Sequence, residues 1–274
     1  MARRRWTAAC YEFFRFGLKQ GWACLFGGIA IALMVVTYRF YPAQARLAHY
    51  DFLFLCMISV QAALLVLRME TWEEAKVILI YHAVGTAMEI FKTAVGSWIY
   101  PEPRIAGVPL FTGFMYSCIG SYICRAWRLF DFRFSHHPPR SRLLLLSFAI
   151  YANFFTDHFG LDFRLVLFAA SALLFFRTSI HFRTWHAWRS MPLLLGFVLV
   201  ALFIWLTENI GTLTKTWLYP SQQQAWSFVS LGKLGSWFLL VIVSYTLVSL
   251  INAPRAMATR AESRLTIPRR ITYG

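Results

Sequence analysis

Two glutamates set in apolar surroundings occupy the same place in two copies of one pattern. The first copy reads Glu89, Thr93, Trp98, Tyr100, Pro101; the second, 119 residues later, reads Glu208, Thr212, Trp217, Tyr219, Pro220. The same offset pairs Gly113 with Gly232 and Ser117 with Ser236. A charged carboxylate in hydrocarbon costs at least about 2.5 kcal/mol, so a chain that carries this cost twice in register points to use of the carboxylates. A glutamic acid kept from water can give a proton to an alkene, epoxide or carbonyl, and a second carboxylate can take one back. The same pair could bind a proton or ion during transport, or fix helix register as a structural carboxylate. The pattern alone leaves all three readings open.

The elements that carry these residues must be membrane helices. The chain has 274 residues, of which 58% are hydrophobic, 18% aromatic and 14% charged. A soluble domain is nearer half apolar and a quarter charged. Long apolar runs predict eight spans, at about 21–41, 50–68, 76–99, 107–127, 143–160, 163–179, 192–212 and 227–251, each near the length that crosses roughly 30 Å of hydrocarbon. The fifth and sixth are separated only by Asp157, His158, Asp162 and Arg164, and could form one tight hairpin or a re-entrant pair. The runs are continuous rather than alternating, which excludes a barrel. The predicted fold class is therefore all-α: a polytopic transmembrane bundle.

Eight spans with this internal offset predict two parallel four-helix repeats, at 21–127 and 143–251. An amphipathic segment at 1–20 precedes them, a linker at 128–142 joins them, and a basic tail at 252–274 follows. The linker carries His136-His137-Pro138-Pro139, which reads as a loop. An even helix count per unit gives both copies the same orientation, about an axis along the membrane normal. No signal-peptide cleavage site is evident near the amino terminus.

The net charge of +15 follows topology rather than forming a nucleic-acid patch. Arginines cluster before span one, between spans four and five (Arg125, Arg128, Arg133, Arg140, Arg142), between six and seven, and in the tail (Arg255, Arg260, Arg264, Arg269, Arg270). Arg39, Arg46, Arg104 and Arg164 fall on the other side. This bias places both termini in the cytoplasm. The partners expected are the lipid bilayer and a hydrophobic small molecule or an ion, with no nucleic acid.

At three- and four-residue steps, His82, Gly85, Glu89, Lys92 or Thr93, and Gly96 form one helical stripe, and Trp205, Glu208, Thr212 and Lys215 form another. The two stripes should face each other, because facing lipid is costly. Glu89 and Glu208 are the candidate acid and base, and His82 could share a proton with Glu89. Lys92, Thr93, Tyr100, Asn209, Thr212, Lys215, Tyr219 and Lys233 are the candidate substrate-binding residues. Lys92, one turn on, would neutralise Glu89, and Lys233 would serve Glu208. The Trp-x-Tyr-Pro ends read chiefly as interface anchors and helix stops, with Tyr100 and Tyr219 able to place hydroxyls at a cavity mouth.

No metal and no cofactor are expected. His181 and His186 are five apart, not at the spacing that aligns ligands on a helix. The five cysteines contain no CxxC pair. Glycine signatures for nucleotides and aspartate-rich motifs for magnesium diphosphate do not occur.

The stretches Phe14–Ala23, His82–Pro101, Gly107–Tyr116 and Thr207–Pro220 resemble a bacterial family of multipass membrane proteins of unknown function (domain of unknown function 817). The resemblance covers about residues 12–251. It implies a membrane location and no particular activity. Glu89, Gly96, Tyr100 and Gly107-Val108-Pro109 are also similar to a short pattern in membrane carotenoid hydratases and cyclases, which implies chemistry on an isoprenoid-like lipid.

Overall fold

A computed structural model describes residues 2–257 apart from 43 and 103–104. Most of the tail expected at 252–274 lies outside the described residues. Helices dominate: α1 (Ala2–Ala23), α2 (Leu25–Phe40), α3 (His49–Val66), α4 (Trp72–Ala94), α5 (Thr112–Phe130), α6 (Arg140–Thr156), α7 (Arg164–Phe175), α8 (Leu193–Leu213) and α9 (Leu231–Ile251). The fold is the expected all-α bundle, and α2 to α9 fall at the eight expected positions.

Length and composition divide these helices. Helices α3, α4, α8 and α9 are long and apolar enough to cross a membrane, and α1 with α2 forms a fifth candidate bent by 67° at the break. Large apolar side chains on the bundle exterior, such as Val66, Phe148, Leu165 and Leu173, are more than 70% exposed. Such a surface suits acyl chains rather than water. The sixth expected span is the shortest, while the first and fifth are close in length, α2 having 16 residues. Helix α6 has 17 residues and α7 has 12. Twelve residues rise about 18 Å, less than the hydrocarbon thickness. A tight turn joins them: Gly160 takes φ +82° and Asn153 Oδ1 accepts the Phe163 amide at 2.8 Å.

Helix α5 is the centre of the bundle. It carries Arg125 and Arg128, yet packs closely because small residues let neighbours approach. A Cβ on Gly120 would lie 2.9 Å from the Tyr81 ring, and one on Gly85 would lie 2.5 Å from the Tyr116 ring. Arg125 is 2% exposed and reaches the equally buried Glu70 at 3.0 Å. Ser121 and Gln61 also donate to Glu70. A carboxylate with this many donors tolerates burial. The main core cluster runs from Val77 and Tyr81 through Trp127, Leu146 and Phe197 to Tyr245 and Val248.

One feature differs from the sequence reading. Four short strands, β1 (Arg133–Ser135), β2 (Ser179–Arg183), β3 (Trp188–Pro192) and β4 (Arg255–Ala256), form one sheet in the order β3-β2-β1-β4. The β1–β2 and β2–β3 pairs are antiparallel, and β1–β4 is parallel. The segment read as a linker at 128–142 thus contains the end of α5, the strand β1 and the start of α6. The alternation of Ile180 and Phe182 with polar neighbours was the available strand signal. All four strands come from connections that the charge bias puts on one side of the membrane. His181 is used here, with its Nε2 2.8 Å from Ser135 Oγ, and burial lowers its pKa from the usual histidine value.

Candidate functional site

The two motif helices end in the same way. Helix α4 starts with a reciprocal cap, in which Thr71 Oγ1 accepts the Glu74 amide and Glu74 accepts the Thr71 amide. It stops with the Ser97 amide bonded to Lys92 O (2.9 Å) and the Gly96 amide to Thr93 O (3.0 Å). Helix α8 stops with the Thr216 amide on Gly211 O and the Lys215 amide on Thr212 O, both at 3.0 Å. This is the paired helix stop that needs a left-handed residue. Gly96 supplies it at φ +75° and Lys215 at φ +55°. Lys215 is therefore an exposed helix-end residue and does not line the cavity that the glutamates share. Beyond the stops the two chains meet. Ile99 and Leu218, 119 residues apart, exchange both backbone hydrogen bonds at 2.9 Å.

The turn folds Trp98 and Tyr100 back over Glu89. Trp98 Nε1 and the Tyr100 hydroxyl each donate to Glu89 Oε2 at 2.7 Å. Tyr116, from α5, donates to Oε1 at 2.6 Å. Glu208 accepts from the Tyr219 hydroxyl and, at 2.6 Å, from Trp237 Nε1 on α9. Both carboxylates are buried. Two aromatic contacts join these shells. The Trp98 and Tyr219 rings meet edge to face at 6.2 Å, and the Tyr116 and Trp237 rings lie 6.3 Å apart. The stripes on α4 and α8 thus converge through rings from the cap turns, α5 and α9. The caps do more than anchor: Tyr100 is 5% exposed, and both motif tyrosines bond to a motif carboxylate.

Lys233, in the first turn of α9, places its ammonium 4.8 Å from the Trp98 ring centre and 4.5 Å from that of Tyr219. Its charge acts on both glutamates. Lys92 does not neutralise Glu89. It pairs instead with Asp157 at 2.6 Å, because the turn after α6 brings that carboxylate closer.

These groups surround one end of a cavity of about 520 Å³. Glu89, Glu208, Lys92, Lys233 and Asp157 all line it. Its other walls are mostly apolar, with Gly27, Ile31 and Met34 on α2, Ile119 on α5, Leu199 and Phe203 on α8, and Leu240 on α9, beside the polar Tyr122 and Thr207. Along α8 the lining runs from Glu208 back to Leu199, about 14 Å at 1.5 Å per residue. It extends to Phe16 and Gln20 beside the bend between α1 and α2.

The other sequence candidates lie elsewhere. His82 does not share a proton with Glu89. Its ring meets Phe114 edge to face at 4.7 Å and fills the space left by Gly113. Thr93 turns its methyl group toward Gly107, and its hydroxyl is buried without a partner. Asn209 is tied to backbone, accepting the Val229 amide at 2.9 Å and donating to Trp205 O. Thr212 Oγ1 takes the Trp226 indole N–H at 3.1 Å. Both hold the loop between α8 and α9. Tyr116 and Trp237 were missed, since nothing in their spacing links them to the glutamates. Asp157 was read only as part of the polar cluster between the fifth and sixth spans.

The chain belongs to the family of proteins of unknown function DUF817. The family model matches residues 12–245. A protein of Bacillus subtilis (strain 168) described as uncharacterized protein YoaT is 40% identical over 258 residues, covering 93% of this chain and 97% of that one. No solved structure matches the chain.

Proposed function

We propose that this DUF817 protein is an inner-membrane enzyme that holds a hydrophobic, isoprenoid-like lipid in the cavity and moves protons on it with Glu89 and Glu208. The observation that carries this reading is the placement of both carboxylates at one end of a cavity whose walls are mostly apolar. Its volume is in the range that encloses a small ligand. The glutamates act as an acid and base pair. One carboxyl group delivers a proton to an unsaturated carbon, and the other removes a proton from a neighbouring carbon. The double bond shifts, and both substrate and protein balance without a further reactant. Tyr100, Tyr116 and Tyr219, each bonded to a carboxylate, are placed to relay the proton.

The two units at 21–127 and 143–251 act as repeats about an axis along the membrane normal, with both termini in the cytoplasm. The exchange of hydrogen bonds between Ile99 and Leu218, and the matching stops of α4 and α8, support this. An antiparallel bridge between equivalent residues is what a two-fold axis would generate.

A coupled transporter is the second reading. The specific observation favouring it is a set of opposite charges with exchangeable partners, Lys92 with Asp157 and Lys233 beside both glutamates. Substituting Glu89→Gln and Glu208→Gln, singly and together, tests the choice. Mass spectrometry of membrane lipid extracts should show a precursor accumulating in each variant. Unchanged lipids with altered proton or solute uptake would overturn the enzyme reading in favour of transport.

A further inference from the structure

Lys233 is the least explained charge among the described residues. It sits in the first turn of α9, where the helix dipole disfavours a cation. Its ammonium does not turn toward open water but lies in the corner formed by two nearly perpendicular rings, Trp98 and Tyr219, at centroid distances of 4.8 and 4.5 Å. Glu208, Asp157 and Glu89 contribute attractive charge there, and Lys92 opposes it. Each ring is oriented by a carboxylate, Trp98 through its indole N–H and Tyr219 through its hydroxyl. Aromatic faces backed by carboxylates are the arrangement that recognises ammonium groups. Helix-register needs would be met by the carboxylates and their donors without any lysine.

We infer that the polar end of the cavity is an ammonium site, that Lys233 is its resident occupant, and that the ligand is a lipophilic amine or quaternary ammonium compound that displaces it. The inference rests on the reading that the cavity holds a lipophilic ligand, and not on acid and base chemistry. The ligand's chain lies along the apolar wall of α2, α8 and α9, and its cationic head takes the place in the corner of Trp98 and Tyr219. The flexible stem of lysine lets the side chain leave without moving α9. Lys92 cannot stand in for it, since its ammonium is held by Asp157 at 2.6 Å. The resident lysine also sets a threshold. A cationic occupant must interact with the rings and carboxylates better than a tethered ammonium does.

Native mass spectrometry of the full-length protein, released from maltoside micelles, gives binding constants directly. The probes are octyltrimethylammonium, octanol and octyl sulfate, which share a chain and differ in head charge. The wild-type protein should bind the cation about tenfold more tightly than octanol, the scale of a desolvated cation over aromatic faces. Lys233→Met keeps the length of the stem and removes the competing charge, so it should tighten the cation by a further factor of about ten. Glu208→Gln should weaken it by a similar factor, and octanol should respond to neither substitution. Equal binding of octanol and the cation would overturn the ammonium site while leaving the lipophile-binding cavity standing. Failure of all three probes to bind either wild type or Lys233→Met would overturn both. Tighter binding of octyl sulfate than of the cation would show that Lys233 is itself the head-group ligand, and would also overturn the inference.

Discussion

The three donors on Glu89 make a quantitative prediction. Glu89→Ala strips the acceptor from Trp98, Tyr100 and Tyr116 at once, and all three residues are buried. Hydrogen bonds between membrane helices average about 0.6 kcal/mol and reach about 1.7. Three of them give about 2 to 5 kcal/mol. A chain of this size shifts its melting temperature by about 2–4 °C per kcal/mol, so the loss should be about 4–20 °C. Glu89→Gln behaves differently. Trp98 and Tyr100 both donate to Oε2, and the amide oxygen can take that position. The amide nitrogen then donates to the Tyr116 hydroxyl, which can reverse its role and accept. All three contacts survive, and the loss should stay within about 2 °C. Glu208, with two donors, should fall between when changed to alanine. The assay is thermal unfolding in detergent, followed by the loss of monodisperse protein on size-exclusion chromatography. Equal melting temperatures for the Ala and Gln variants would refute the reasoning, because they would mean that the donors do not depend on the carboxylate.

The helix stop of α8 can be improved. Lys215→Gly should stabilise the protein by about 0.5–1 kcal/mol, since the left-handed cost of about 1–2 kcal/mol outweighs glycine's unfolded-state penalty of about 0.4–1 kcal/mol; an unchanged or lower melting temperature would contradict this. Gly85→Ala should displace the Tyr116 ring, only 2.5 Å from the new Cβ, and cost about 1–3 kcal/mol. Its effect should largely disappear in a Tyr116→Ala background, which a double-mutant cycle can measure. Arg125→Met should cost about 3–5 kcal/mol by leaving Glu70 charged and buried, and adding Glu70→Gln should recover much of that. Ile99→Cys with Leu218→Cys should form a disulfide on mild oxidation, because directly paired antiparallel residues have Cα atoms about 5.5 Å apart. Failure to cross-link, read on a non-reducing gel after protease cleavage between the halves, would mean that the two caps do not meet.

The sequence by itself determined the class and the positions of α2 to α9, and it singled out Glu89 and Glu208, both of which are buried. Apolar run length and the charge bias of the loops are local quantities, so a linear reading recovers them. The repeated Glu, Trp, Tyr and Pro spacing is also local, which is why Tyr100 and Tyr219 were singled out together with Glu89 and Glu208. The tertiary structure decided which side chains answer those carboxylates. Tyr116 and Trp237 reach them from α5 and α9, at separations of 27 and 29 residues that carry no periodic signal. Lys92 took Asp157, 65 residues away, over Glu89 three residues away, because the turn after α6 delivers a closer charge. His82 shared the stripe of Glu89, but the space beside Gly113 took its ring away from the cavity. A helical stripe states which residues share a face. It does not state which neighbour that face meets, and packing alone settles that.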